Sequence, residues 1–152
     1  MSNALAVLDA APTATMEQID AVEAIILAYP QIEITPVHRF AKGVYAREIT
    51  MPADTLITGH LHTTQHLVIL SEGRVTVYSP GEPVRHLTAP CTFISEPGTR
   101  RLIYAHEHAV WTTIHGTDET DIDRLEATLI APHINPFVLL PEASAWRSLP
   151  QE

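Results

Sequence analysis

Three histidines lie within seven residues of the chain, and imidazole is one of the commonest protein ligands for divalent transition metals. His60 and His62 are two positions apart, so on a β-strand they would project from the same face. His66 follows four residues later and opens an apolar run that ends at Gly73. If residues 63–65 form a turn, a second strand returns His66 to the other two. We therefore predict a metal site of His60, His62 and His66 with open coordination positions. The alternative is a solvated hairpin with three polar side chains.

Composition and charge narrow the class of protein. The 152 residues correspond to one domain, and the net charge of −9 argues against a nucleic-acid partner. A single cysteine, Cys91, excludes an intrachain disulfide and fits a reducing compartment. No apolar run approaches the roughly 20 residues of a membrane span, and the first fifteen residues lack the basic region of a signal peptide. We expect a cytoplasmic protein with no membrane partner.

The spacing of apolar residues predicts one helix followed by many short strands. Thr15 and Gln18 have the spacing of a capping box, and the helical period then runs to Tyr29, before Pro30. From Ile32 the period changes, and short β-rich runs follow, separated by turn residues. They cover residues 33–40, 44–51, 55–61, 66–70, 74–78, 84–88, 92–95, 102–104 and 110–115. Regular short strands of this kind indicate an all-β sandwich or barrel.

The C-terminal part of the chain is predicted to be a short helix and a tail. An acidic run at residues 117–123 can begin a helix that continues through Leu125. The tail is broken by prolines and has a possible last helical turn at residues 142–149, where Trp146 could anchor it. We divide the chain into an N-terminal arm and helix (1–31), a β-barrel (32–116), and a C-terminal helix and tail (117–152). The tail is expected to pack on the barrel or on a neighbouring subunit.

The histidine motif resembles the first metal motif of the cupin family. The shared pattern is His-x-His, a third ligand four residues later, and a glycine seven residues after that, which here is Gly73. In cupins the third ligand is usually Glu, whereas this chain has His66, and Asp54 stands where the motif usually begins with Gly. The resemblance covers about residues 37–114. It implies an all-β fold with a single double-stranded β-helix, or jelly-roll barrel.

The second cupin motif, Pro-x-Gly-x-x-His, is degenerate in this chain. Three residues after Gly98 stands Arg101 in place of the histidine that usually supplies a fourth ligand. A guanidinium cannot bind a metal ion, but it is well suited to hold a carboxylate or phosphate. Three interpretations stay open. Three histidines alone hold the metal beside Arg101, another histidine completes the site, or the metal has been lost. The candidates for a further ligand are His106, His108 and His115.

The resemblance implies two classes of function. The first is a small metal-dependent enzyme of dioxygenase, isomerase or lyase type, with Fe, Zn, Ni or Mn as the metal. It would act on a small anionic molecule held between the metal and Arg101, with Glu96 as a candidate general base. The second is a non-catalytic module, either ligand-sensing or structural, of the kind also found among bacteriophage-encoded proteins. Either would form a homodimer or a larger homo-oligomer.

The remaining charged side chains of the strands are expected to be structural. Arg39, Arg47 and Arg74 are interpreted as ordinary strand-face charges, and His38 and His86 as surface residues. The chain has no Gly-x-Ser-x-Gly elbow, no phosphate-binding glycine loop and no cysteine pair. These absences argue against hydrolase, nucleotide-binding and redox-thiol functions.

Overall fold

Two antiparallel five-stranded sheets face each other in the computed structural model, which describes residues 13–59, 61–98 and 100–129 and the backbone of 137–139. These described residues include two helices, α1 (Met16–Ile26) and α2 (Ile122–Leu129). The strands are β1 (Val37–Ala41), β2 (Val44–Met51), β3 (Thr55–Thr58), β4 (His66–Glu72), β5 (Arg74–Tyr78), β6 (Arg85–Thr88), β7 (Cys91–Ser95), β8 (Leu102–Ala105), β9 (Ala109–Gly116) and β10 (Phe137–Leu139). The predicted all-β fold is confirmed, with a strand in each of the nine predicted runs.

The strand order follows a double-stranded β-helix. The first sheet has the order β1-β2-β9-β4-β7 and the second has the order β10-β3-β8-β5-β6. Alternate residues of both sheets point into a shared apolar core, because successive side chains of a strand project to opposite faces. Buried members of this core include Ile49, Leu70, Val75, Ile103 and Trp111. The predicted last turn at 142–149 and Trp146 lie outside the described residues.

Helix α1 covers the outer face of the second sheet. It begins at the predicted capping box, in which Thr15 and Gln18 each bond the other's backbone N–H. Its stripe of Ile19, Val22 and Ile26 is fully buried against side chains of β3 and β8. Burying this stripe stabilises the helix, since an isolated helix of three turns is marginal in water. The predicted amphipathic helix is confirmed.

A buried ion-pair cluster fastens α1 to the second sheet. Arg100 pairs with both Asp20 and Glu23 of the helix, and its side chain is only 6% exposed. Thr58 of β3 donates a hydrogen bond to Oε2 of Glu23, with an oxygen–oxygen distance of 2.6 Å. We refer to Arg100, Asp20, Glu23 and Thr58 as the Arg100 cluster. Its charges are compensated outside the barrel, between helix and sheet.

The predicted hairpin between the strands that carry the histidines is wrong. β3 belongs to the second sheet and β4 to the first, so the chain passes from one sheet to the other between Thr58 and His66. β4 pairs instead with β7 and β9. All four residues of β3 are buried, so no alternation of polar and apolar side chains marks its partner. The nearest apolar run in the sequence was therefore not its neighbour in the fold.

Gly73 forms the sharp turn that was predicted at the end of β4. Its φ of +87° lies in the left-handed region, and a Cβ there would come within 2.3 Å of the carbonyl oxygen of His108. This turn carries the chain from β4 in the first sheet to β5 in the second. Among the described residues, neither helix has the length and hydropathy that a membrane span requires.

Candidate metal centre

Three histidines from separate parts of the sequence meet inside one end of the barrel. One ligand nitrogen from each of His62, His66 and His115 lies within 4.8 Å of the others. The ring centroids are 4.2 Å apart for His62 and His66, 5.3 Å for His62 and His115, and 4.6 Å for His66 and His115. We call these three residues the histidine cluster. His66 and His115 are buried, and His62 is partly buried.

His66 is held in one tautomer by the backbone. It is the first residue of β4, and its Nδ1 lies 3.0 Å from the carbonyl oxygen of Thr64. Because a carbonyl can only accept, Nδ1 carries the proton and Nε2 keeps a lone pair for a metal ion. Burial lowers the pKa of His66, and the nearby charge of Arg101 acts in the same direction against the Thr64 hydrogen bond. His66 is therefore a neutral imidazole at pH 7.

His115 reaches the cluster from the neighbouring strand β9. The pairing of Leu67 with Ile114 places His115 beside His66 on the inner face of the first sheet. Burial lowers the pKa of His115 to about 4, and His66 and Arg47 add to the effect. Its Nδ1 is buried and has no hydrogen-bond partner among the described residues. Such an atom is a position that a metal ion would satisfy.

His62 lies between β3 and β4, where the chain passes from one sheet to the other, and hydrogen bonds to the loop after β7 and to α2 hold this segment in place. Its carbonyl oxygen accepts a hydrogen bond of 2.8 Å from the N–H of Gly98. The adjacent Thr63 donates through its N–H to the carbonyl of Leu129 and through Oγ1 to the carbonyl of Thr128. The last carbonyls of a helix have no partner within the helix, so this threonine both caps α2 and holds the segment that carries His62.

The histidine cluster fits a divalent transition metal by its donor set. Metal–nitrogen bonds of about 2.0–2.1 Å place two nitrogens of one ion roughly 3.3 Å apart, and the observed upper limit of 4.8 Å is within reach of small side-chain rotations. The neutral imidazoles of His66 and His115 and the Nδ1 of His115, which has no partner among the described residues, agree with this use. Three histidine nitrogens leave at least one position open for water or substrate.

Only part of the predicted ligand set lies in the described part of the chain. The fold brings together His62 and His66, whereas His60 lies outside the described residues, so its role stays a prediction. Of the three candidates for a further ligand, His115 joins the cluster. His106 lies 2.6 Å from the hydroxyl of Thr76 on the second sheet, and His108 pairs with Glu72 at the surface.

Arg101 faces the barrel interior close to the histidine cluster. It precedes β8, in which Ile103 and Ala105 point inward, and the alternation along the strand gives Arg101 the same direction. Its Nη1 donates to Oγ of Ser95 at 2.7 Å, and its guanidinium lies 5.2 Å from the ring centre of Phe93. The residue is 8% exposed and forms no ion pair with a carboxylate of the described residues.

Glu96, the predicted general base, lies in an exposed turn after β7. Its carboxylate oxygens accept hydrogen bonds of 3.0 and 3.1 Å from Nε2 of Gln65, which is also exposed. A catalytic role for Glu96 stays a prediction.

Sequence reasoning missed the polar residues that β1 and β2 place beside the cluster. Arg47, interpreted as a strand-face charge, is on the inner face of β2 between Tyr45 and Ile49. Tyr45 stacks on His115 with ring centres 5.9 Å apart, and its hydroxyl lies 2.6 Å from Nδ1 of His38. His38 is thus a partly buried partner of Tyr45, and the interpretation of it as a surface residue is wrong. The alternation of Tyr45, Arg47 and Ile49 along one strand was the signal that could have found this face.

Helix α2 covers this end of the barrel. Leu125 and Leu129 are buried together with Tyr45 in a small apolar cluster. The side chain of Asp121 caps the helix by accepting a hydrogen bond from the N–H of Arg124. The predicted C-terminal helix is confirmed, and its contact with Tyr45 closes the barrel near the histidine cluster.

Solved structures resemble this chain in fold. Ectoine synthase from P. lautus superposes with a TM-score of 0.53 at 12% identity, over 70% of this chain and 82% of that one. An uncharacterized conserved protein with a double-stranded β-helix domain from Klebsiella pneumoniae has a TM-score of 0.50 at 15% identity, over 61% and 85% of the two chains. The chain has the cupin fold. No protein-family model and no curated protein sequence matches it.

Asp54 explains one departure from the usual cupin motif. It has a φ of +69°, a backbone conformation that glycine adopts freely and that aspartate tolerates better than most residues. Its N–H donates to the carbonyl of Ala105, and its Oδ1 accepts from the hydroxyl of Tyr104. These contacts hold the turn before β3 without the glycine that cupins usually have there.

Proposed function

We propose that this cupin is a metal-dependent enzyme that acts on a small anionic molecule. The metal would be held by His62, His66 and His115, and the anion by Arg101. The observation that carries the proposal is the juxtaposition of the buried, neutral imidazoles of His66 and His115 with a buried guanidinium that has no ion pair with a described carboxylate. Burying such a charge is costly unless a partner compensates it, and an anionic substrate would be that partner.

Some residues of the site would bind the anion or the metal, and others would orient them. Ser95 fixes one nitrogen of Arg101, which leaves the other guanidinium N–H groups to bind a carboxylate or phosphate in a bidentate manner. Phe93 and Trp111, whose rings meet edge to face at 5.8 Å, form an apolar floor that excludes water. The Thr64 carbonyl keeps the proton of His66 on Nδ1. A divalent ion bound by three neutral histidines keeps its full charge and supplies Lewis acidity and an open coordination position.

The chemistry compatible with this donor set is that of Fe, Zn, Ni or Mn. Iron would support oxygen-dependent chemistry, and zinc or nickel would support isomerase or lyase reactions. Fold alone does not select among them, because one fold hosts many reactions. The predicted homodimer or larger homo-oligomer and the predicted cytoplasmic location stay predictions.

The experiment uses metal-free protein reconstituted in turn with Fe(II), Zn(II), Ni(II) and Mn(II). Each form is incubated with a panel of small carboxylic acids and sugar phosphates, and substrate loss is followed by mass spectrometry, with oxygen uptake for the iron form. We expect turnover with one metal and its loss by at least about tenfold in Arg101→Gln. Arg39→Gln, which removes an exposed arginine paired with Glu48, is the matched control and retains activity. Binding without turnover by any metal form would contradict an enzyme and indicate a ligand-sensing module.

A further inference from the structure

A second guanidinium faces the barrel interior on the opposite side of the histidine cluster from Arg101. Arg47 shares the inner face of β2 with the buried residues Tyr45 and Ile49. Its Nε is buried and has no hydrogen-bond partner in the described part of the chain. Arg47 pairs across the strands with Thr113, two residues before His115, and Arg101 donates to Ser95, which pairs across the strands with His66. The cluster therefore lies between two arginines, one on β2 and one on the segment just before β8.

The strand register shows that the two arginines flank one row of the first sheet. Arg47 is opposite Thr113, which is opposite Val68, which is opposite Phe93. The guanidinium of Arg101 lies over the ring of Phe93. Neighbouring strands are about 4.8 Å apart, so the backbones of Arg47 and Phe93 are separated by roughly 14 Å along the sheet. Arg47 is at an inward-facing position at one end of this row, and Arg101 lies over Phe93 at the other end. The side chains of Thr113, Val68 and Phe93 are uncharged, and the guanidinium of Arg85 also lies over the ring of Phe93, at 4.7 Å.

The charges of this row are not balanced by the protein itself. The acidic residues that act on the two arginines are Glu126 for Arg47 and Glu82 for Arg101, and both are exposed. Neither forms an ion pair with these arginines. A chain with a net charge of −9 thus places Arg47 and Arg101 at inward-facing positions, where neither forms an ion pair with a carboxylate of the described residues. One monoanion can compensate one of them only.

We propose that the ligand of this site is a dicarboxylate, with one carboxylate bound by Arg101 and the other by Arg47. This rests on the proposed function, because the molecule between the two arginines would lie beside the histidine cluster. The uncharged chain between its carboxylates would lie along Val68 and Phe93. Two guanidiniums at fixed backbone positions also impose a preferred length, so affinity should depend on the number of carbons between the carboxylates.

Calorimetry with Zn(II)-reconstituted protein tests this ligand class. The probes are the linear dicarboxylates from malonate to adipate, each compared with the monocarboxylate of equal carbon number. We expect one dicarboxylate to bind at least about tenfold more tightly than its monocarboxylate, since it forms a second charge-assisted pair. The preference should have an optimum in chain length.

The Arg47→Gln variant should lose that preference while retaining its affinity for monocarboxylates to within about twofold. Arg47→Lys keeps the charge but not the planar fork and should retain part of the preference, and Arg39→Gln should retain all of it. Thermal unfolding checks that each variant is folded. If Arg47→Gln does not fold, the proposal is still tested by Arg47→Lys and by the chain-length series on the unchanged protein.

Two outcomes overturn the proposal. One is equal affinity of the unchanged protein for dicarboxylates and monocarboxylates, or no affinity for the dicarboxylates. The other is an undiminished preference in folded Arg47→Gln or Arg47→Lys. Failure of the proposed function is distinguishable, because it would show as absent zinc binding or as monocarboxylate binding that Arg101→Gln does not weaken.

Discussion

Arg100 and Arg101 are adjacent in sequence and both are buried, yet they lie in opposite environments. Arg100 points out of the barrel into the contact with α1, where Asp20 and Glu23 compensate its charge. Arg101 points into the barrel, where its Nη1 donates a hydrogen bond to the neutral hydroxyl of Ser95. The alternation of side chains along an extended segment is sufficient to separate them.

This difference distinguishes a structural charge from a functional one. The Arg100 cluster is complete within the protein, so breaking it leaves a buried charge without a partner. Arg101 is incomplete without a ligand, so it adds a desolvation cost to the folded state that an anion would offset. Substitution of Arg100 should therefore reduce stability, whereas substitution of Arg101 should reduce anion binding.

The largest effect on stability is expected from Arg100→Met. It leaves Glu23, which is 8% exposed, without its cation, and the free energy of unfolding should fall by about 3–5 kcal/mol. Arg101→Met removes a buried cation that lacks a carboxylate partner among the described residues, so that free energy should be unchanged or should rise. Urea unfolding of the metal-free proteins measures both. Equal destabilisation by the two substitutions would contradict the distinction.

The free energy of unfolding should also depend on pH, because His115 is buried in the barrel interior. The pKa of His115 is about 4 in the folded protein, below the ordinary value of 6.5. Above pH 6.5 the residue is neutral in both states, whereas below it the unfolded chain binds a proton that the folded chain excludes. The free energy of unfolding should therefore fall between pH 6.5 and 4, with His115 contributing up to about 3 kcal/mol.

The matched measurement is urea unfolding of metal-free protein at several pH values, with His115→Asn for comparison. The variant should lose this part of the pH dependence, so the two stability curves should diverge as the pH falls through that interval. Parallel curves would show that His115 is protonated equally in the folded and unfolded states, and that its site is less buried than described.

Arg101→Gln should have its effect on anion binding. The loss of charge-assisted hydrogen bonds should weaken the binding of a monocarboxylate to zinc-loaded protein by about 10–100-fold, or about 1.5–3 kcal/mol. Calorimetry measures it, with unchanged zinc stoichiometry as the control. An affinity within about twofold of that of the unchanged protein would remove Arg101 from the site.

The smallest effect is expected from Arg39→Gln, which provides a surface reference for the other arginines. Arg39 pairs with Glu48 at 3.0 Å on the outside of the first sheet, and its side chain is 58% exposed. Exposed pairs contribute at most about 1 kcal/mol, and salt screens them. The urea midpoint in 0.5 M NaCl should be indistinguishable from that of the unchanged protein. A large loss of stability would show that exposure does not separate the three arginines.

The elements of the fold could be predicted because their signals are local. The capping box at Thr15, the period of the following helix and the short β-rich runs each act over a few residues. Which strands pair with each other could not be predicted from local sequence. β3 has no polar face, so its alternation could not indicate a register, and the assumed hairpin between β3 and β4 joined strands of different sheets.

The residues of the histidine cluster could likewise be predicted only where they are close together in the sequence. His62 and His66 were found by their spacing, whereas His115 enters through the pairing of β4 with β9 across almost fifty residues of sequence. Arg47 was missed because a charged residue in a strand is usually solvated. Its position between the buried residues Tyr45 and Ile49 carried the information that it faces inward.

The proposed metal centre is tested most directly by the metal content of protein purified without a metal-affinity tag. It is measured by mass spectrometry beside the double variant His66→Ala/His115→Ala and beside His108→Ala, a surface histidine that pairs with Glu72. We predict about one metal ion per chain in the unchanged protein and in His108→Ala, and background levels in the double variant. Metal retained by a folded double variant, or no uptake by the unchanged protein after reconstitution with Fe(II), Zn(II), Ni(II) or Mn(II), would contradict the proposed centre.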